Sequence, residues 1–229
     1  MTDWLLLHGV PLSPQVWDDV RVHLRGDVLV PDLTEAISSA PPTGRLQRQV
    51  AAALLPDLPN NVVVVGHSFG GQVALELALL APQRLRRLII VCSRHTPFPA
   101  FAAGARAIAA GEQVDIDAGL RRWFTPAELA ADPPVVRYVC RQVARAPRRP
   151  WSAGLAAIAG YDRSAEAARI AVPTALFAAG QDEVSPPAVM AELAGAMPDA
   201  VLETVPAWSH MSPFADPAGF AARLTAAAN

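Results

Sequence analysis

No lysine occurs in this chain of 229 residues; all nineteen basic side chains are arginine. That absence excludes a Schiff-base lysine and a phosphate-binding Walker loop, both of which need the primary amine. Cysteine is nearly as scarce. Cys92 and Cys140 are the two present, too few for a disulfide framework or a four-cysteine zinc site. Both are expected to be buried as small apolar side chains. Charged residues make up only 17% of the chain and the net charge is −2, which offers nucleic acid no basic surface. No run reaches the roughly 18 consecutive apolar residues of a membrane span. The start, Met1-Thr2-Asp3-Trp4, carries an acid where a signal peptide needs a basic residue, and its apolar run stops at His8; a cytoplasmic location is expected. Neither a metal cluster nor a cofactor motif is visible, and nothing bears on oligomeric state.

What the chain has in quantity is apolar residues, 52% of the total, enough for one large domain or one domain carrying an insertion. Its most informative stretch is Val62-Val63-Val64-Val65 followed by Gly66-His67-Ser68-Phe69-Gly70-Gly71 and then Gln72 to Leu80. Four valines without alternation predict a strand buried on both faces, as in a parallel sheet. The segment after the glycines predicts a helix. Gly66-x-Ser68-x-Gly70 between them has the form of a nucleophile elbow, a turn so sharp that glycine is needed where backbones nearly touch. Such a turn lifts the Ser68 hydroxyl out of the sheet and aims the first helical N–H groups at any oxyanion formed there.

Around this centre, strands alternate with helices. Trp4–Leu7 predicts a first strand, with a helix near Val16 to Leu24; Gly26–Asp32 predicts a second strand. Thr34 to Gly44 reads as a proline- and serine-rich loop, followed by a helix from about Arg45 to Leu55. A fourth strand is expected at Leu88–Cys92. The alternation implies a parallel sheet, and then it breaks: residues 96–169 contain helix-like segments at Ala100–Ala110, Asp117–Phe124, Pro134–Ala146 and Trp151–Tyr161 but no convincing strand. An all-helical block between two halves of a sheet reads as an inserted cap, leaving residues 1–95 and 170–229 as the core. Sheet patterning resumes at Pro173–Gly180, with a helix at Pro187–Met197, a strand at Ala200–Val205 and a last helix at Pro217–Ala227.

A serine nucleophile needs a base, and the base needs an acid to hold its tautomer. Two later strand ends supply candidates: Gly180-Gln181-Asp182-Glu183-Val184-Ser185-Pro186 and Trp208-Ser209-His210-Met211-Ser212-Pro213. In these motifs the chain resembles the α/β-hydrolase fold superfamily, in its compact capped-esterase branch. The resemblance covers about Trp4 to Ser93 and Val172 to Ala227, including His8-Gly9 with Trp17 downstream and the serine, acid, histidine order.

That resemblance implies an α/β fold with a mostly parallel sheet of about six strands, since the customary antiparallel hairpin before the first strand is missing. It also implies the site. Ser68 would be nucleophile, His210 general base and then acid, Asp182 the orienting carboxylate, and the N–H groups of Val10 and Phe69 the oxyanion hole. Asp182 keeps a four-residue step to Pro186; a one-residue slip would put Glu183 in the acid position. His95, Trp151 and Met211 are expected near the substrate pocket. His67 and His8 read as structural, His8 satisfying buried backbone groups, and His23 as a helix-surface residue. Trp123, Phe124, Tyr138 and Tyr161 have the spacing of a small core in the cap. Arg137, Arg141 and Arg145 form one basic helix face, either solvated or an anchor for an anionic substrate group. The implied activity is cofactor-free hydrolysis of a small carboxylic ester or lactone. Carbon–carbon bond cleavage or a non-hydrolytic reaction on the same triad, and a ligand-binding receptor on this scaffold, are the alternatives.

Overall fold

The computed structural model describes residues 2–41 and 45–229. Strands and helices follow one another as β1 (Thr2–Leu7), α1 (Asp18–Arg21), β2 (Asp27–Leu29), α2 (Leu33–Ser39), α3 (Leu46–Leu54), β3 (Val62–His67), α4 (Phe69–Leu80) and β4 (Leu85–Val91). Five helices then intervene: α5 (Phe101–Ala109), α6 (Ile116–Trp123), α7 (Pro126–Ala131), α8 (Pro134–Arg145) and α9 (Arg148–Ala159). The chain closes with β5 (Thr174–Ala179), α10 (Pro187–Ala196), β6 (Ala200–Val205) and α11 (Pro217–Ala228).

The six strands form one sheet in the order β2-β1-β3-β4-β5-β6, and every pairing is parallel. Parallel strands must be covered on both faces, so the central one should carry no polar side. The β3 valines, Val62 to Val65, are all fully buried. In register, Leu7 faces Gly66, and Gly66 and His67 face Ile90 and Val91. All strands point the same way, so the segments following β1, β3, β4, β5 and β6 emerge at one edge. This is the edge where open α/β sheets bind ligands.

Several sequence expectations change in detail. Thr34 to Gly44 is not loop throughout: α2 occupies Leu33–Ser39, and Pro42 to Gly44 lie outside the described residues. Asp32 is the reason, because its carboxylate caps the helix by accepting the Thr34 N–H at 2.8 Å, while Leu33 and Ile37 bury the i, i+4 face. The second strand is shorter than its apolar run, three residues at the sheet edge. Where a helix over Val16–Leu24 was expected, a 3₁₀ turn at Pro14–Trp17 precedes the single turn of α1. Helix α7 was unforeseen, although Thr125-Pro126-Ala127-Glu128 forms a full capping box with proline in its first turn. Cys92 is buried, but Cys140 is only partly so. Between β4 and β5 no strand occurs among the described residues.

Candidate active site

The turn after β3 is built by glycines that no other residue can replace. A Cβ on Gly66 would lie 2.4 Å from the Gly70 carbonyl oxygen, and one on Gly70 would lie 2.3 Å from the Leu7 carbonyl oxygen. Sterically, that is the close approach the Gly-x-Ser-x-Gly spacing predicts. Ser68 itself has φ 54° and ψ −121°, a conformation costly for a residue with a side chain. It is held there from both sides. Its N–H donates to Val91 O at 3.0 Å, and its carbonyl accepts from Gly71 and Gln72 and from the Ser93 hydroxyl at 2.6 Å. Its own hydroxyl makes no helix-capping bond. The Phe69 N–H lies in the first turn of α4, where helical N–H groups have no intrahelical acceptor.

Asp182 and His210 are brought together from the ends of β5 and β6. Asp182 Oδ2 accepts from His210 Nδ1 at 2.7 Å, and both residues are buried, at 4% and 3% exposure. The other carboxylate oxygen accepts the N–H groups of Val184 at 2.7 Å and Ser185 at 3.0 Å. Burial by itself would raise the Asp182 carboxyl; the facing His210 and these two N–H groups outweigh it and hold the carboxyl below its ordinary value. Glu183, the slipped alternative, is exposed. A hydrogen bond to Nδ1 from a buried carboxylate leaves His210 Nε2 as the nitrogen available for proton transfer.

Ser68 and His210 border one small void together with Gly9, Val10 and Met211, and a second void lies between Ser68, Phe69, Ser93 and Arg94. Each measures about 10 Å³, roughly the space of one water. Gly9 matters to the first: a Cβ there would stand 3.0 Å from Ser68 Cβ. Val10 in turn seats against α9, where a Cβ on Gly154 would meet Val10 Cγ1 at 2.9 Å.

The remaining expected residues sort by distance from this centre. Met211 lines the void shared by Ser68 and His210. Trp151 lies one layer out, lining a void with Val10, and its buried Nε1 has no partner among the described residues. His95 is buried after β4 with its carbonyl accepting the Arg163 N–H at 2.8 Å, and it lines neither void beside Ser68. His8 satisfies backbone as expected: Nδ1 donates to Gly9 O at 2.8 Å and Nε2 accepts Leu33 N–H at 3.0 Å. His67 is fully buried and donates Nε2–H to His210 O at 3.0 Å; burial, with His210 close by, lowers it to about 3, so it stays neutral. In the basic stripe, Arg137 pairs with Asp132 at 2.7 Å, while Arg141 and Arg145 are exposed.

Sequence reasoning missed two supports. Arg94 is buried against the second void and donates Nη1 to Val184 O at 2.8 Å, gripping the turn that carries Asp182. The Glu128 carboxylate, at the start of α7, accepts the Ser212 hydroxyl, while Trp123 O at the end of α6 accepts the Met211 N–H at 3.2 Å. Ser212 Oγ also accepts the Ser209 N–H. The turn bearing His210 is thereby pinned on both flanks to α6 and α7. No local pattern announces either contact, because each joins residues more than 80 positions apart.

A family model described as "Alpha/beta hydrolase family" matches residues 4–223. Among curated proteins, a pimeloyl-[acyl-carrier protein] methyl ester esterase of Vibrio parahaemolyticus is 42% identical over 103 residues, covering 44% of this chain and 39% of that protein. Its counterpart in Aromatoleum aromaticum is 39% identical over 92 residues, covering 39% and 36%. The matched region therefore spans under two fifths of the length of these curated relatives. Among solved structures, a hydrolase from Pseudomonas aeruginosa PA01 superposes with a TM-score of 0.82 at 28% identity, over 99% of this chain and 89% of that one. The enol-lactonase from Burkholderia xenovorans LB400 shares the fold, with a TM-score of 0.78 at 21% identity over 99% and 91%.

Proposed function

Because the chain belongs to the alpha/beta hydrolase family, we propose that it is a serine hydrolase that cleaves a small carboxylic ester or lactone through an acyl-enzyme. Ser68 Oγ attacks the carbonyl carbon while His210 Nε2 takes its proton. Asp182 holds the imidazole by its Nδ1 and offsets the positive charge that develops. The tetrahedral oxyanion rests on the N–H groups of Val10 and Phe69, each such donor contributing about 3 kcal/mol to transition-state stabilisation. His210 then returns the proton to the leaving alcohol, and a water activated by the same imidazole releases the acid. Residues 96–169 act as a cap whose helices wall the substrate in.

The observation that carries this reading is the 2.7 Å Asp182–His210 contact beside a Ser68 held at φ 54°. A structural role explains neither the strain at Ser68 nor the burial of an acid against a histidine that shares a void with it. The relatives named as methyl ester esterases favour an ester.

A fluorophosphonate probe followed by peptide mapping tests it. The expected adduct is on Ser68, and Ser68→Ala abolishes both the adduct and p-nitrophenyl acetate turnover. An adduct elsewhere, or turnover that survives the substitution, refutes the assignment.

A further inference from the structure

The two voids beside Ser68 hold about one water each, so a substrate larger than acetate must extend into neighbouring space. A larger chamber of about 230 Å³ lies between α5, α6 and α9. Its wall is apolar where it is buried: Phe101, Ile108, Trp123, Trp151 and Leu155. Its rim is polar and exposed, with Asp115 and Arg122. Trp123 joins it to the candidate site, since this residue lines both the chamber and the void shared by Ser68 and His210.

We infer that this chamber seats an unbranched aliphatic chain of the ester substrate, on the order of eight carbons long, entering past Trp123; the inference rests on the hydrolase reading above. The length follows from volume, because an apolar cavity of about 150 Å³ accepts the six carbons of benzene. Burial among aromatic and aliphatic walls selects an uncharged chain, whose attraction is worth roughly fourfold in binding per methylene. Two helical glycines keep the space open. A Cβ at Gly119 would touch Trp123 Cζ3 at 3.9 Å and one at Gly104 would touch Leu155 Cδ1 at 4.0 Å, both ordinary contacts. Anything longer at either position reaches into the chamber without straining the backbone.

The test is kcat/KM along two series, p-nitrophenyl esters from acetate to dodecanoate and alkyl acetates from ethyl to dodecyl. One series should rise at least tenfold to an optimum near eight carbons and fall beyond it, and which series does so identifies the chain as acyl or alkoxy. Gly119→Leu and, independently, Gly104→Leu should lower the ratio of eight-carbon to two-carbon turnover in that series at least tenfold, with circular dichroism confirming the fold. A flat profile in both series, or a ratio unchanged in both folded variants, overturns the chamber. If no ester of either series is hydrolysed, the hydrolase reading falls instead, so the two failures are distinguishable.

Discussion

Removing Arg163 should cost this fold more than almost any other single surface-free substitution, and the reason lies beneath the elbow helix. Glu76 of α4 is fully buried and is gripped by Arg163 through Nε at 2.6 Å and Nη2 at 2.8 Å, a two-point fork. Arg163 also donates Nη1 to Glu166 at 2.7 Å, whereas Arg48 stands off from Glu76 at 3.8 Å. Burial drives the Glu76 carboxyl up to about 7, so above that pH the carboxylate depends on the fork. Arg163→Ala strands a buried acid, an effect of about 3–5 kcal/mol. For a chain of this size each kcal/mol shifts Tm by about 2–4 °C, so a fall of about 6–20 °C is expected at pH 8. The penalty must also depend on pH. A carboxyl whose folded pKa is raised above its unfolded value of about 4.3 loses its stabilising contribution as pH climbs through the folded value. Up to about pH 7 wild type and variant share that slope, so the variant's deficit should widen only above it, where the wild type alone holds the carboxylate compensated. Glu76→Gln should cost less, because Arg163 keeps Glu166, and pairing Arg163→Met with Glu76→Leu should recover much of the loss. Thermal melts at pH 5 and pH 8 decide it. A Tm within about 3 °C of wild type at pH 8, or a deficit equal at both values, refutes the reasoning.

Three further outcomes follow from the geometry. Gly66→Ala should not yield folded protein, because its Cβ would stand 2.4 Å from Gly70 O and 2.6 Å from Gly71 Cα, both backbone atoms; a native near-ultraviolet dichroism spectrum contradicts this. The neutral, buried His67, lowered to about 3 from its ordinary 6.5, is protonated first in the unfolded chain. The His67 contribution to stability should accordingly fall as pH drops below 6.5, by up to about 1.4 kcal/mol per unit, and His67→Gln should remove that part of the slope in urea titrations; a slope unchanged by the substitution refutes it. Glu128→Ala should reduce ester turnover about tenfold through kcat, on a hydrogen bond worth about 1–2 kcal/mol, with Glu128→Gln partly restoring it. An effect confined to KM would show that the contact does not set the His210 turn.

The elbow was legible residue by residue because its constraint is local: a valine run, two glycines and a serine dictate a strand, a clash-free turn and a helix whatever surrounds them. Strands β1, β4 and β5 likewise announced themselves through short apolar runs. The capping signals at Asp32 and Thr125 are equally local but masked, since the prolines and serines around Asp32 look like loop and α7 has no buried residue to mark a periodic face. Asp182 rather than Glu183 could be favoured from spacing to Pro186, yet the distinction became physical only when one side chain turned inward to His210 and the other stayed in solvent.

The alternation of apolar runs with helix periods, and the sterics of glycine, determined the sheet class and the position of the serine, because both act within a few residues along the chain. Tertiary structure alone decided that residues 68, 182 and 210 share one edge, that Glu128 and Trp123 clamp the histidine turn, and that Trp123 stands between Ser68 and an apolar chamber. Those contacts depend on how separate elements pack, and packing answers to volume and hydrogen-bond satisfaction across the whole core, quantities that no short window of sequence contains.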